Sequence, residues 1–184
     1  MPCIADPNLA LFVAPPNLRE TETCAITDFV TQGNYPICWV ACIATIANYR
    51  NGDDLTAGEV ATAAGHIYYS SSYNSANLSE IVSALSLYGL DYSCVYTKLT
   101  WSSLKNNINA DRPFIIIIES SAGRHALTCY GYSCQIGDAD EYSSSRYVSV
   151  WDPNGSETTF QYNATNLKFS RYSYTWTWEA TIYD

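Results

Sequence analysis

Apolar positions predict mainly helices up to about residue 110 of the chain and strands after it. The segment from Cys38 to Tyr49 is apolar on nearly every side, which is typical of a buried helix, and the Asn-Gly pair that follows is a helix stop. Recurring apolar residues bounded by capping residues and glycines predict three further helices, over residues 55–65, 77–90 and 100–111.

Runs of β-branched and aromatic residues predict the strands, over residues 24–31, 91–98, 112–120, 125–134, 146–153, 158–163 and 172–183. Because the helices come first and the antiparallel series second, we expect an α+β domain. A helical half would pack on a sheet half and leave a cleft between them. At 184 residues, the chain 1–184 is expected to be a single domain with residues 1–23 as a surface arm.

Charge and hydropathy narrow the classes of partner. Eighteen acidic and nine basic residues give a net charge of -9, which repels nucleic acid backbones and anionic lipid head groups. No apolar run approaches the roughly 20 residues that a membrane span needs. The N-terminus lacks the basic start and long apolar run of a signal peptide, whereas the sixteen tyrosines and Ser/Thr-rich stretches are typical of exported proteins. Localisation is therefore left open.

The cysteines favour neither a metal site nor a disulfide framework. Seven cysteines without CxxC spacing form an odd set, so at least one thiol is free unless a partner takes it. We therefore expect no metal and no other cofactor.

Cys38 is the candidate nucleophile, because it lies where a turn becomes a helix and the positive end of a helix favours a thiolate. A thiolate needs a base or cation as partner, and the chain has two histidines. His66 falls in a loop after a helix stop, whereas His125 begins a strand whose backbone holds its ring in place. We expect His125 to be the partner of Cys38.

Two more residues complete the candidate site. Asp152 ends the next strand, where Pro153 restricts it to an extended conformation, and its carboxylate is expected to orient the His125 ring. Gln32 precedes Cys38 by six residues. Its side-chain amide and the Cys38 backbone N–H are expected to stabilise an oxyanion.

The order Gln, Cys, His, Asp, with the Cys38-Trp39 dipeptide, resembles the papain-like cysteine peptidases. Five segments are similar to successive blocks of the compact bacterial branch, which includes staphopains, plant-pathogen effector proteases and the double-glycine peptidase domains of bacteriocin exporters. They are QGNYPICWVACIATIANYRNG, LSEIVSALSLYGLDY, LKNNINADRPFIIIIES, HALTCYGY and VWDPNG. The resemblance covers about residues 24 to 155 and implies a papain-like fold whose buried helix starts at the catalytic cysteine.

The resemblance also implies an activity, the hydrolysis of a protein or peptide substrate by an endopeptidase through an acyl-enzyme. It assigns the nucleophile to Cys38, the general base and acid to His125, the orienting residue to Asp152, the oxyanion donor to Gln32 and a substrate contact to Trp39. A bacterial effector or toxin protease is the implied biological role, with an inhibitory immunity protein as a partner.

Two features depart from papain itself. The third catalytic residue is Asp where papain has Asn, although the compact bacterial relatives commonly carry Asp. A polar insert within residues 133–146 separates His125 from Asp152, and we expect it to cover the cleft or to serve a partner.

Two other functions stay open. A papain-fold acyltransferase or deamidase would use the same residues, because an amine resolves an acyl-enzyme as well as water does. The chain would otherwise be a non-catalytic module that binds peptides or carbohydrates. The aromatic residues at alternate positions of the last strand would share one face, either as a sugar platform or, as we prefer, packed on the core. They are Tyr172, Tyr174, Trp176 and Trp178.

Overall fold

The computed structural model describes residues 18–65, 75–136, 143–169 and 173–184. Within these ranges the chain forms four helices and seven strands. The helices are α1 (Cys38–Asn51), α2 (Ala57–Ala63), α3 (Leu78–Ser86) and α4 (Trp101–Asn109). The strands are β1 (Arg19–Thr23), β2 (Ser93–Val95), β3 (Phe114–Ser120), β4 (Gly123–Gln135), β5 (Tyr147–Asp152), β6 (Ser156–Gln161) and β7 (Thr177–Tyr183).

The seven strands join one antiparallel sheet in the order β2-β7-β3-β4-β5-β6, with β1 paired to β4. The central strand β4 is thirteen residues long. On one edge its first half pairs with β3 and its second half with β1, and on the other edge it pairs with β5. The helices pack on this sheet, so the predicted α+β class is confirmed.

Helix α1 lies in the core, as its unbroken apolar pattern predicts. Its residues from Trp39 to Ala47 are all buried, and it packs on β4, α2 and α3. Gly52 ends it in the left-handed conformation with φ 73° and donates its N–H to the Asn48 carbonyl. No helix in the described ranges has both the length and the apolar content that a bilayer crossing requires.

Side-chain caps fix where the shorter helices begin. Thr56 and Glu59 form the predicted capping box of α2, in which each side chain bonds the backbone N–H of the other residue. Asn77 and Glu80 form a second box at the start of α3, and Thr100 caps α4 as expected.

The predicted strand over residues 24–31 is wrong, and part of the predicted arm is a strand. Residues 24–31 form a loop whose apolar side chains reach the core without joining a strand ladder. The polar segment Arg19–Thr23 pairs with β4 instead, since β3 begins only at Phe114, opposite Cys129, and leaves the rest of that edge open. Residues 1–17 lie outside the described residues.

The last predicted strand is shorter than expected. Strand β7 begins at Thr177, and Trp176 forms an isolated bridge with Leu167. Trp176 belongs to the core and the half-buried Trp178 packs against it, as we preferred, whereas Tyr174 is 46% exposed. Tyr172 lies outside the described residues.

The described ends of the polar insert lie far from His125. Its first residues continue β4 to Gln135, which is ten residues from His125 and so about 30 Å along the strand. Ser143 and Ser145 hydrogen-bond to each other, and Ser145 accepts from Arg19. Neither described end lines the cleft. Residues 137–142 lie outside the described ranges, so the prediction that the insert covers the cleft or serves a partner stays a prediction.

Candidate active site

Three elements bring Cys38, His125 and Asp152 together. Cys38 is the first residue of α1, which packs against β4, and His125 lies near the start of β4. Asp152 is the last residue of β5, which runs antiparallel to β4. The adjacency of the two strands therefore places the Asp152 carboxylate beside the His125 ring.

The His125 ring is held by a buried carboxylate. Its Nε2 lies 2.8 Å from Asp152 Oδ1, and the two residues are 8% and 1% exposed. The same oxygen accepts the Asn154 backbone N–H at 2.9 Å, and the Gly155 N–H donates to the Asp152 carbonyl at 2.8 Å. The turn after β5 thus fixes the carboxylate, which fixes the orientation of the ring.

The Cys38 thiol lies at the other side of the His125 ring. Burial by itself raises the pKa of this thiol. The hydrogen bond and charge of His125 and the backbone N–H groups of Ala126 and Trp39 outweigh burial, so its pKa is lowered. The Ala126 N–H donates to Cys38 Sγ at 3.3 Å.

The pKa of the His125 imidazole shifts in the opposite direction. Burial lowers the pKa of His125, but the hydrogen bonds to Asp152 and to Cys38, with the charges of both, raise it to about 9. A lowered thiol pKa and a raised imidazole pKa favour a thiolate beside an imidazolium at pH values between the two pKa values. This pair is the activated form of a cysteine nucleophile.

The start of α1 has no side-chain cap. Ile37 precedes the helix and provides no side-chain cap, and the first turn contains no acidic residue. The Val40 N–H donates to the Ile37 carbonyl at 3.2 Å, and the Trp39 N–H hydrogen-bonds to the Cys38 thiol, so the positive end of the helix favours the thiolate.

Gln32 is buried at 8% exposure and lines the same cleft as Cys38. Its backbone N–H donates to the Pro153 carbonyl at 2.9 Å, and its Nε2 donates to the Tyr35 carbonyl at 2.9 Å. Its Oε1 has no hydrogen-bond partner among the described residues. The loop that carries Gln32 is thereby tied directly to the turn that follows Asp152.

An aromatic contact that the sequence analysis missed holds this loop in place. Phe29 stacks on Trp151 with ring centroids 4.7 Å apart, and Trp151 Nε1 donates to the Val30 carbonyl at 3.1 Å. The Val30 N–H in turn donates to Thr45 Oγ1 of α1 at 3.0 Å. The loop before Gln32 is therefore fastened to both β5 and α1. The only sequence signal was the position of Trp151 next to Asp152.

A cleft of about 680 Å³ opens over the thiol. Cys38 and Trp39 line it from α1, the start of α3 forms one wall, and Ile117 of β3 with Arg124 and His125 of β4 forms the other. Trp39, the predicted substrate contact, reaches the cleft although it is 3% exposed.

The structure thus brings four predicted residues to one place, Gln32, Cys38, His125 and Asp152, of which all but Asp152 line the cleft. His66, the histidine that we did not select, lies outside the described residues. The Trp176 ring also contacts His125, at 6.1 Å between ring centroids, and no sequence pattern pointed to this contact.

A family model described as the Peptidase_C39 like family matches residues 26–182. No curated protein matches the chain.

Proposed function

The chain belongs to the Peptidase_C39-like family and is a cysteine peptidase of papain-like fold, and we propose that Cys38 is its nucleophile. In this proposal His125 is the general base and acid, Asp152 orients His125, and Gln32 donates to the oxyanion. The substrate is an internal peptide bond of a protein or peptide.

One observation carries the assignment of these roles. Cys38, His125 and Asp152 form a hydrogen-bonded chain below the cleft, and the pKa of the thiol is lowered while that of the imidazole is raised to about 9. The other described cysteines do not share this environment. Burial raises the pKa of Cys24, Cys42 and Cys129, which disfavours their thiolates.

The proposed reaction has two halves. The Cys38 thiolate attacks the scissile carbonyl, and the Cys38 N–H and the Gln32 amide stabilise the resulting oxyanion. The His125 imidazolium gives its proton to the leaving amine, which leaves an acyl-enzyme. His125 then takes a proton from water, the hydroxide attacks the thioester, and the acid product leaves with the thiol restored.

The test is the cleavage of an unfolded protein, followed by mass spectrometry of the peptides. We expect the wild type to cleave it, and Cys38→Ala and His125→Ala to lose the activity. Cys94→Ala serves as the matched control, because Cys94 is a half-buried cysteine that does not line the cleft. Loss of activity in Cys94→Ala with retention in Cys38→Ala would overturn the assignment.

We also propose that the peptidase is a delivered bacterial effector or toxin with an inhibitory immunity protein as partner. The support is the similarity of its segments to the compact bacterial branch, which includes effector proteases, together with its exported composition. Production inside a bacterium should arrest growth with the wild type and not with Cys38→Ala. Equal growth of the two strains, at equal protein levels, would contradict this role.

A further inference from the structure

We propose that Glu80 makes the cleft select substrates with a lysine or arginine side chain close to the scissile bond. The inference rests on the proposed function, since it concerns the cleft above Cys38. It goes beyond that function because it names the chemical class of the substrate.

Glu80 stands in the wall of the cleft formed by α3. Its Oε2 accepts the Asn77 backbone N–H at 2.7 Å as part of the capping box, which fixes the direction of the side chain. Its Oε1 has no hydrogen bond within the described part of the chain, and no described cation forms an ion pair with the carboxylate. One carboxylate oxygen is therefore available to a ligand.

The opposite wall does not cancel this charge. Arg124 lines the cleft there, but its guanidinium forms ion pairs with Glu179 and, at 3.8 Å, with Glu119. Two carboxylates face one guanidinium, so this group has a net charge of about -1 by simple valence. With Glu80, the carboxylates in and beside the cleft outnumber the Arg124 guanidinium, a balance that attracts a cation and repels an acidic side chain.

Apolar side chains line part of the same cleft and suit the stem of a long basic side chain. Leu78 lines the same wall, and Ile117 and Trp39 line the rest of the cleft. Lysine and arginine place their methylene groups on apolar surface while the charged end reaches a polar partner. A glutamate in a cleft that apolar side chains also line is therefore a better match to a basic residue than to a small polar one.

The capping boxes offer a matched pair of variants. Glu80→Gln removes the charge and keeps the cap, because glutamine also serves at this position of a capping box. Glu59→Gln makes the same change in the box of α2, and Glu59 does not line the cleft. The pair separates the loss of charge in the cleft from any effect of changing a cap.

The experiment first maps the sites at which the wild type cleaves an unfolded protein. We expect lysine and arginine to be enriched at one position near the cleaved bond. Two peptides that differ there only by lysine or norleucine are then compared. We expect kcat/KM to favour lysine by about tenfold in the wild type and in Glu59→Gln. In Glu80→Gln this ratio should fall towards one.

The outcomes separate this inference from the proposed function. Cleavage that depends on Cys38 but shows no enrichment of basic residues would overturn the inference and leave the proposed function standing. A lysine preference that persists in Glu80→Gln would overturn the role of Glu80. A wild type as inert as Cys38→Ala would overturn both.

Discussion

The His125 imidazole holds its proton to a higher pH than a free histidine, because Asp152 and Cys38 both bond to its charged form. The thiol releases its proton more readily, because His125 and two backbone N–H groups favour the thiolate. The active ion pair therefore exists in the window above the lowered pKa of the thiol and below about pH 9, the pKa of the imidazole.

Replacing Asp152 should lower the upper pH limit of that window. In the wild type, activity should fall as pH rises through about 9, because His125 then loses the proton that it gives to the leaving amine. Asp152→Asn removes the carboxylate whose hydrogen bond and charge raise the pKa of His125. The alkaline limb should therefore move to lower pH, with kcat at neutral pH reduced by about 100-fold. The measurement is kcat/KM against pH for both proteins. An unchanged alkaline limb would contradict the role of Asp152.

Gln32→Ala should reduce kcat by about 100- to 1000-fold, the usual cost of removing one oxyanion donor. KM should change little, because the lost interaction forms only as the oxyanion develops. The rate of Cys38 alkylation is the control, since it requires the thiolate but no oxyanion. A variant that loses alkylation and cleavage together has a disturbed thiol, and that result would contradict the assigned role.

At the scale of elements, the loop before Gln32 depends on the bond from Trp151 to Val30. Trp151→Phe removes this bond and keeps an aromatic ring for the stack on Phe29. We expect a several-fold lower kcat with little change in KM, because Gln32 is held less firmly while the cleft is unchanged.

The matched control for Trp151→Phe is Tyr130→Phe. Tyr130 also contacts Phe29, and the variant removes its hydroxyl bond to Glu157, which does not touch the loop before Gln32. In steady-state kinetics, kcat and KM of Tyr130→Phe should be close to those of the wild type. An equal loss of kcat in both variants would indicate a general effect of the aromatic cluster.

A second prediction at this scale concerns Gly131, where β4 is paired on both edges, with β1 and with β5. A Cβ at this position would lie 2.7 Å from Thr23 Cγ2 and 3.0 Å from the Glu22 carbonyl oxygen. Gly131→Ala should therefore lower the free energy of unfolding by about 1–3 kcal/mol. Adding Thr23→Ser removes the nearest methyl group and should restore part of the loss in a urea titration. An unchanged free energy of unfolding in Gly131→Ala would show that β1 moves away from β4 without cost.

Local sequence patterns predicted those helices and strands that form because of the residues they contain. The apolar run of α1, the cap at Thr56 and the β-branched run of β3 are such signals. The strand Arg19–Thr23 carries no apolar alternation, and it forms because the far half of β4 offers an open edge. Its pairing partner is about 110 residues away, so a window along the sequence does not detect it.

The same distinction applies to the site. The positions of Cys38, His125 and Asp152 in the fold were predictable, because a helix start, a strand start and an Asp-Pro strand end are local features. The contact between Trp151 and Val30 and the ion pairs of Arg124 depend on how strands and loops meet. These contacts could be identified only in the three-dimensional structure.

At the scale of the whole molecule, both halves share one core. Buried residues of α1, α3 and α4 belong to the same apolar cluster as those of β3, β4 and β7. We therefore propose that residues 1–184 form a single domain, which predicts one cooperative transition. The circular dichroism signal and the intrinsic tryptophan fluorescence should change with the same midpoint in a urea titration. Two separated transitions would show that the helical and sheet halves unfold independently.

The most direct test of the central claim is the intact mass of the folded protein after treatment with an epoxide that alkylates papain-like thiols. We predict one adduct on the wild type and on Cys94→Ala, and none on Cys38→Ala, because Cys38 has both a lowered thiol pKa and a place in the cleft. A folded wild type without an adduct, or an adduct that persists in Cys38→Ala, would contradict the assignment of Cys38 as the nucleophile.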